Sequence, residues 1–270
     1  MTAAPHDAPI EEFLGFAHRL ADAAGAAILP HFRAVEANDK AAPGGRFDPV
    51  TPADEASEAA MRRLIEDAYP AHGVLGEEFS ERVSQDGWTW ILDPIDGTRA
   101  FISGIPTWGV LIALAYHGRP VIGILDQPYL EERYAGWPGG AEARLKGRTQ
   151  GLRARTCASL NQATLATTDQ NLFNPRERRG FDDVRSAARL TRYGLDCYAY
   201  AMVAAGHMDM VIESGLKAFD IAALIPVLHG AGGLVTDWRG GPAWSGGQVI
   251  AAGDARIHAQ ALDALRPSAA

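Results

Sequence analysis

Only two cysteines, Cys157 and Cys197, occur in the 270 residues, too few for a disulfide framework or a Cys-x-x-Cys zinc site. They are read as reduced, structural residues of a cytoplasmic protein. Positive charge is also short: 25 Lys and Arg stand against 33 Asp and Glu, a net charge of -8. That balance speaks against general binding to nucleic acid or to an anionic membrane surface. An anionic substrate would therefore need a metal ion or local donors to receive it. No apolar run approaches the ~20 residues of a membrane span, and residues 1–9 lack the basic and apolar parts of a signal peptide. No internal repeat or low-complexity tract stands out. The apolar share of 47% and charged share of 21% are those of an ordinary globular chain, long enough for one large or two moderate domains.

What is present centres on Trp90-Ile91-Leu92-Asp93-Pro94-Ile95-Asp96-Gly97-Thr98. Apolar residues lead to Asp93, Pro94 interrupts an ordinary ladder or helix, Gly97 supplies a tight bend, and Thr98 stands where a helix could begin. Two carboxylates this close repel each other and call for a positive group beside them. Two readings stand at this point: a Mg²⁺ site facing a phosphate, or a turn whose aspartates bond locally.

In chain order, the pattern predicts a structural helix from Pro9 to about Leu29, with Ile10, Phe13, Leu14, Ala17, Leu20, Ala21 and Ala24 on one face. Residues 34–49 read as a mobile loop, a candidate lid with Lys40 and Asp48 as contributors. Thr51-Pro52-Ala53-Asp54-Glu55 is a helix start, with Thr51 as N-cap and Asp54 at the capping-box position. Gly73 to Phe79 reads as a short strand, in which Glu77 and Glu78 would point to opposite faces, so only one could serve a site. Trp108 to Trp137 is a β meander, Gly139-Gly140 opens a loop-rich region, and a boundary near residue 145 divides an N-terminal half (1–145) from a C-terminal half (146–270). Arg176 to Arg179 reads as a solvated helix face. Farther on, Leu195 to Ala205 reads as a helix with Asp196 near its start, and Met208 to Ile212 as a strand leading into Glu213. Lys217 to Asp220 opens another helix, Ile221 to Leu228, kinked at Pro226, in which Asp220 could simply cap.

Gly76-Glu77-Glu78, Asp93-Pro94-Ile95-Asp96-Gly97-Thr98 and Phe219-Asp220-Ile221-Ala222-Ala223 together resemble the inositol monophosphatase family of Mg²⁺-dependent phosphatases. The likeness runs over nearly the whole chain. It implies a layered α-β-α-β-α sandwich, of the type shared with fructose-1,6-bisphosphatase, in which these acids meet in one site. Carried over position by position, Glu77, Asp93, Asp96, Asp220 and the carbonyl of Ile95 are the implied metal ligands. Asp54 and Thr98 orient the attacking water, and Glu78 matches a non-ligand. The N–H groups of Gly97 and Thr98 would bind phosphate oxygens. Two Mg²⁺ ions are implied, and a third, weaker one near Glu77 is seen in the family. A homodimer is also implied.

Within the family, Gly194-Leu195-Asp196-Cys197-Tyr198-Ala199-Tyr200 looks like the histidinol-phosphate phosphatase branch rather than the inositol-specific members. Asp196, Glu213 and Arg192 are the candidate substrate residues, since carboxylates suit the ammonium and imidazole of L-histidinol phosphate. Leu195, Phe219 and His229 depart from the branch pattern and bear on selectivity more than on chemistry. The leading expectation is hydrolysis of L-histidinol phosphate to L-histidinol in histidine synthesis. The alternatives are an inositol-1-phosphate or broad sugar-phosphate phosphatase, a 3′-phosphonucleotide phosphatase, and a catalytically weak, metal-binding regulatory protein.

Overall fold

The computed structural model describes residues 4–5, 8–34, 38–39 and 49–270; the candidate lid residues Lys40 and Asp48 lie outside them. Helix α1 (Ile10–Ile28) is followed by two short paired strands, β1 (Asn38–Asp39) and β2 (Pro49–Val50), and by α2 (Pro52–Ala68). Strands β3 (Gly73–Gly76) and β4 (Trp88–Asp96), the short helix α3 (Thr98–Ile102), β5 (Gly109–Tyr116), β6 (Arg119–Gln127), β7 (Glu132–Trp137), β8 (Gly140–Leu145) and β9 (Arg148–Gly151) come next. These strands form one seven-stranded sheet in sequence order, with β3 parallel to β4 and the rest antiparallel. The Gly139-Gly140 region is thus two further strands of that sheet and not a loop-rich stretch.

The second sheet has the order β11-β10-β12-β14-β13. It contains β10 (Thr164–Thr167), β11 (Leu190–Tyr193), β12 (Met210–Leu216), β13 (Leu234–Thr236) and β14 (Gly247–Ala252). Around it lie α4 (Pro175–Ala187), α5 (Tyr198–Ala204), α6 (Ala218–Ile221), α7 (Leu224–Gly230) and α8 (Ala255–Leu265).

Strand alternation sorts the side chains into three cores. Trp90 and Leu92 of β4, with Val110, Ile112 and Leu114 of β5, face Phe13, Phe16, Leu20 and Met61 of α1 and α2. Ile91, Leu111 and Ala113 point the other way, against α5 and α7 and against Val211 and Ala251 of the second sheet. Met210, Ile212 and Ile250 face outward again onto Phe181 and Val184 of α4 and Ile257 of α8. The result is helix, sheet, helix, sheet, helix: the α-β-α-β-α sandwich expected from the sequence.

Several local expectations change. Phe16 lies in the core, while Ile10 and Leu14 are only partly covered. The helix expected from Lys217 to Leu228 is two: α6 ends at Ile221, and Pro226 falls in the first turn of α7, where its missing N–H has no intrahelical partner to lose. Glu177, in the charge run of α4, is buried and is the capping-box acid under Asn174. Ser214 and Gln248 side chains also donate to it.

Candidate active site

Strand β4 cannot pair uniformly, because Pro94 has no N–H to donate. Asp93 pairs with Leu111 and Asp96 with Gly109, leaving one extra residue on β4, a bulge. The Ile95 N–H turns back and donates to Asp93 Oδ1 at 3.1 Å. The chain then bends through Gly97, whose φ of 84° and ψ of 38° lie in the left-handed region that favours glycine. Gly97 is the N-cap residue, and α3 begins at Thr98, where the sequence placed a possible helix start. The Thr98 hydroxyl donates to the Ile95 carbonyl at 3.1 Å.

Asp220 reaches this turn from α6, held by the Lys217 N–H at 2.6 Å. Carboxylate oxygens of Asp93, Asp96 and Asp220 all lie within 4.8 Å of one another. Burial raises the pKa of Asp93 well above the carboxylate range, and the charges of Glu77, Asp96, Asp220 and Asp54 push it further. Asp96 is raised by burial and by Asp196 and Asp220, although the Cys197 N–H donates to it at 2.7 Å. Asp220 is pushed up to about 6, mainly by burial. Three carboxylates this close could hold a cation, and an all-oxygen donor set suits a hard ion.

Asp54 is buried at the start of α2, where its Oδ2 accepts from both the N–H and the hydroxyl of Thr51, each at 2.8 Å. The capping-box role expected of it is therefore present. Glu77 and Glu78 follow the end of β3 in a bend. The opposite-face argument, which assumed a strand to Phe79, does not apply to them.

A crevice beside the triad is lined by Asp96, Asp220, Asp196 and Glu213 among others. Asp196 lies in a turn before α5, at φ 47°, and not within a helix. Its side chain packs where a Cβ on Gly97 would come within 3.0 Å. Burial pushes it up to about 6, opposed by Arg99 and by a hydrogen bond with Thr107. Glu213 is the fourth residue of β12, not a residue after the strand. It accepts from the Thr168 N–H at 2.7 Å and the Thr167 hydroxyl at 3.3 Å, and burial takes it to about 7. Arg192 is exposed on the edge strand β11 and does not line the crevice.

A model of the inositol monophosphatase family matches residues 10–269. The chain belongs to that family. Among its relatives, the chloroplastic bifunctional phosphatase IMPL2 of Arabidopsis thaliana is 41% identical over 96% of this chain and 76% of its own length. A histidinol-phosphatase of Chlorobaculum parvum is 36% identical over 84% of this chain and 86% of its own. In three dimensions, an inositol monophosphatase from Zymomonas mobilis superposes with a TM-score of 0.83 at 42% identity, covering 96% of this chain and 99% of that one. The protein is thus a phosphatase of the inositol monophosphatase family, and a small-molecule phosphate is its class of substrate.

One buried acid beside the bend after β3 escaped the sequence reading. Glu58 is completely buried on α2. It accepts from Arg62 Nε at 2.7 Å and from the Glu78 N–H at 2.8 Å, tying the bend after β3 to the helix. Its signal was its spacing of four from Asp54, which puts both acids on one helix face. Tyr200, a residue of the branch-like stretch with no role of its own assigned there, lies on α5 and lines the crevice.

Proposed function

We propose that this phosphatase hydrolyses L-histidinol phosphate to L-histidinol and phosphate, with Mg²⁺ held by Glu77, Asp93, Asp96, Asp220 and the Ile95 carbonyl. The observation that carries the substrate is the acid-lined crevice, where Asp196 and Glu213 stand beside the Asp93-Asp96-Asp220 cluster. A leaving group with an ammonium and an imidazole supplies the positive charge and N–H donors that these acceptors need. The kinship with a histidinol-phosphatase supports the same reading.

Bound Mg²⁺ supplies Lewis acidity and positive charge to the phosphoryl group. The protein's own part is orientation. Thr98 spends its proton on the Ile95 carbonyl, so its oxygen is left to accept from the attacking water. Asp54, braced by Thr51, takes part in aligning that water. The N–H groups of Gly97 and Thr98 would hold phosphate oxygens. Asp196 and Glu213 would grip the leaving group, and Arg192 could reach only a ligand that extends beyond the crevice. Two ions, with a third near Glu77, a homodimer and a cytoplasmic setting belong to this proposal and rest on the family likeness.

The likeness to the Zymomonas inositol monophosphatase favours a second reading, an inositol-1-phosphate or broader sugar-phosphate phosphatase. Phosphate release with Mg²⁺ from matched L-histidinol phosphate and inositol 1-phosphate separates the two. A kcat/KM at least about a hundredfold higher for the former, about 2.7 kcal/mol in transition-state binding, is expected. Comparable rates would transfer the assignment to the broader phosphatase. Asp93→Asn should abolish turnover of either ester; a variant that stays active sinks the ligand assignment.

A further inference from the structure

The crevice beside the acidic triad is narrow and opens to solvent. Three of its lining side chains can donate a hydrogen bond: Thr168, Cys197 and Tyr200. Thr168 is committed to Glu213, and the Cys197 thiol to Asp96. The Tyr200 hydroxyl is buried, on a residue 3% exposed, and has no hydrogen-bond partner among the described residues. Leaving such a buried donor unpaired is costly, so a partner that arrives with the ligand is favoured. The surrounding charges are acceptors, Glu213, Asp96 and Asp220, yet none of them takes the proton.

We propose that Tyr200 reads the alcohol part of the substrate, its hydroxyl donating to an acceptor atom of the leaving group, directly or through a bridging water. Asp196 and Glu213 can only receive from the ligand when ionised; Tyr200 gives. A leaving group that carries donors and an acceptor side by side satisfies both kinds of partner. The ring nitrogen of a neutral imidazole and the oxygen of a polyol hydroxyl are such acceptors. A bare phenyl group offers neither, and gains nothing from Tyr200. This inference deepens the substrate assignment above, and it holds for either natural ester.

Tyr200→Phe removes the hydroxyl and keeps the ring. The kcat/KM of wild type and variant is measured with L-histidinol phosphate, inositol 1-phosphate and phenyl phosphate, alongside thermal unfolding of both proteins. The expected result is a loss of about tenfold on whichever natural ester the wild type prefers. Phenyl phosphate should change by less than about twofold, with the Tm unchanged or raised. The rise would reflect removal of an unpaired buried hydroxyl. An equal loss on all three esters, no loss on any, or a Tm lowered by several degrees overturns the proposal. So does a wild type that prefers neither natural ester over phenyl phosphate. A wild-type preference for inositol 1-phosphate would instead overturn the histidinol-phosphate reading, with the role of Tyr200 then read on the inositol ester.

Discussion

Gly76 precedes the Glu77-Glu78 bend, and its missing side chain is filled by Glu58. A Cβ built on Gly76 would lie 2.0 Å from Glu58 Oε1 and 2.3 Å from its Cδ. Glu58 has nowhere to retreat: it is wholly buried and bonded on one oxygen to Arg62 and on the other to the Glu78 N–H. Gly76→Ala therefore displaces a buried carboxylate. The loss of one charge-assisted hydrogen bond costs roughly 1.5–3 kcal/mol, and overpacking adds about 1–3 kcal/mol. A total of roughly 2.5–6 kcal/mol lowers the Tm by roughly 5–24 °C, at about 2–4 °C per kcal/mol for a chain of this size. Because Glu77 is the next residue, the apparent affinity for Mg²⁺ should weaken as well. Scanning calorimetry with and without Mg²⁺ reads both effects. Combining Gly76→Ala with Glu58→Ala removes the clash, so the double variant should be no less stable than Glu58→Ala alone, a coupling well outside additivity. A Tm within about 2 °C of wild type, or two changes that simply add, would refute the account.

Metal-free protein should lose stability as pH rises from about 4 towards 7. Asp196 and Asp220 near 6 and Glu213 near 7 bind more protons folded than unfolded across that window, so the slope is negative. Mg²⁺ should accordingly raise the Tm more at pH 8 than at pH 5, and an equal rise at both would contradict the site's electrostatics. Thr51→Ala removes the α2 cap and one of the two bonds to Asp54. It should cost about 1 kcal/mol in urea unfolding and lower kcat, with Thr51→Ser restoring both; an unchanged kcat would separate Asp54 from the chemistry. Gly97→Ala places a Cβ at φ 84° and 3.0 Å from Asp196. It should lower stability by more than about 1 kcal/mol and raise KM, and a stable variant with wild-type KM would show that neither the bend nor Asp196 matters as described.

Much of this site could be read along the chain because its parts are local. Asp93, Pro94, Gly97 and Thr98 specify a bulged strand end and a left-handed bend through their own backbone restrictions. Thr51, Pro52 and Asp54 specify a helix start through neighbouring side chains, and alternating apolar residues specify which faces of β4 and β5 are buried. Local rules erred where distant packing intervenes. The strand at Gly73 stops at Gly76, before the bend that Glu58 ties down, and Glu177 is drawn inward by Ser214 and Gln248.

The meeting of Asp93 and Asp96 with Asp220 belongs to tertiary structure, although motif resemblance anticipated it. Asp220 comes from a short helix between β12 and β13 of the second sheet, and only the packing of both sheets around α5 and α7 brings it to the first. The same packing leaves the Tyr200 hydroxyl without a partner inside a ring of carboxylates. Backbone preference and side-chain periodicity act over a few residues, so the sequence by itself determined the turns, caps and buried faces. Which carboxylates come together, and which buried hydroxyl lines the crevice beside them, were decided by the close packing of segments remote in the chain.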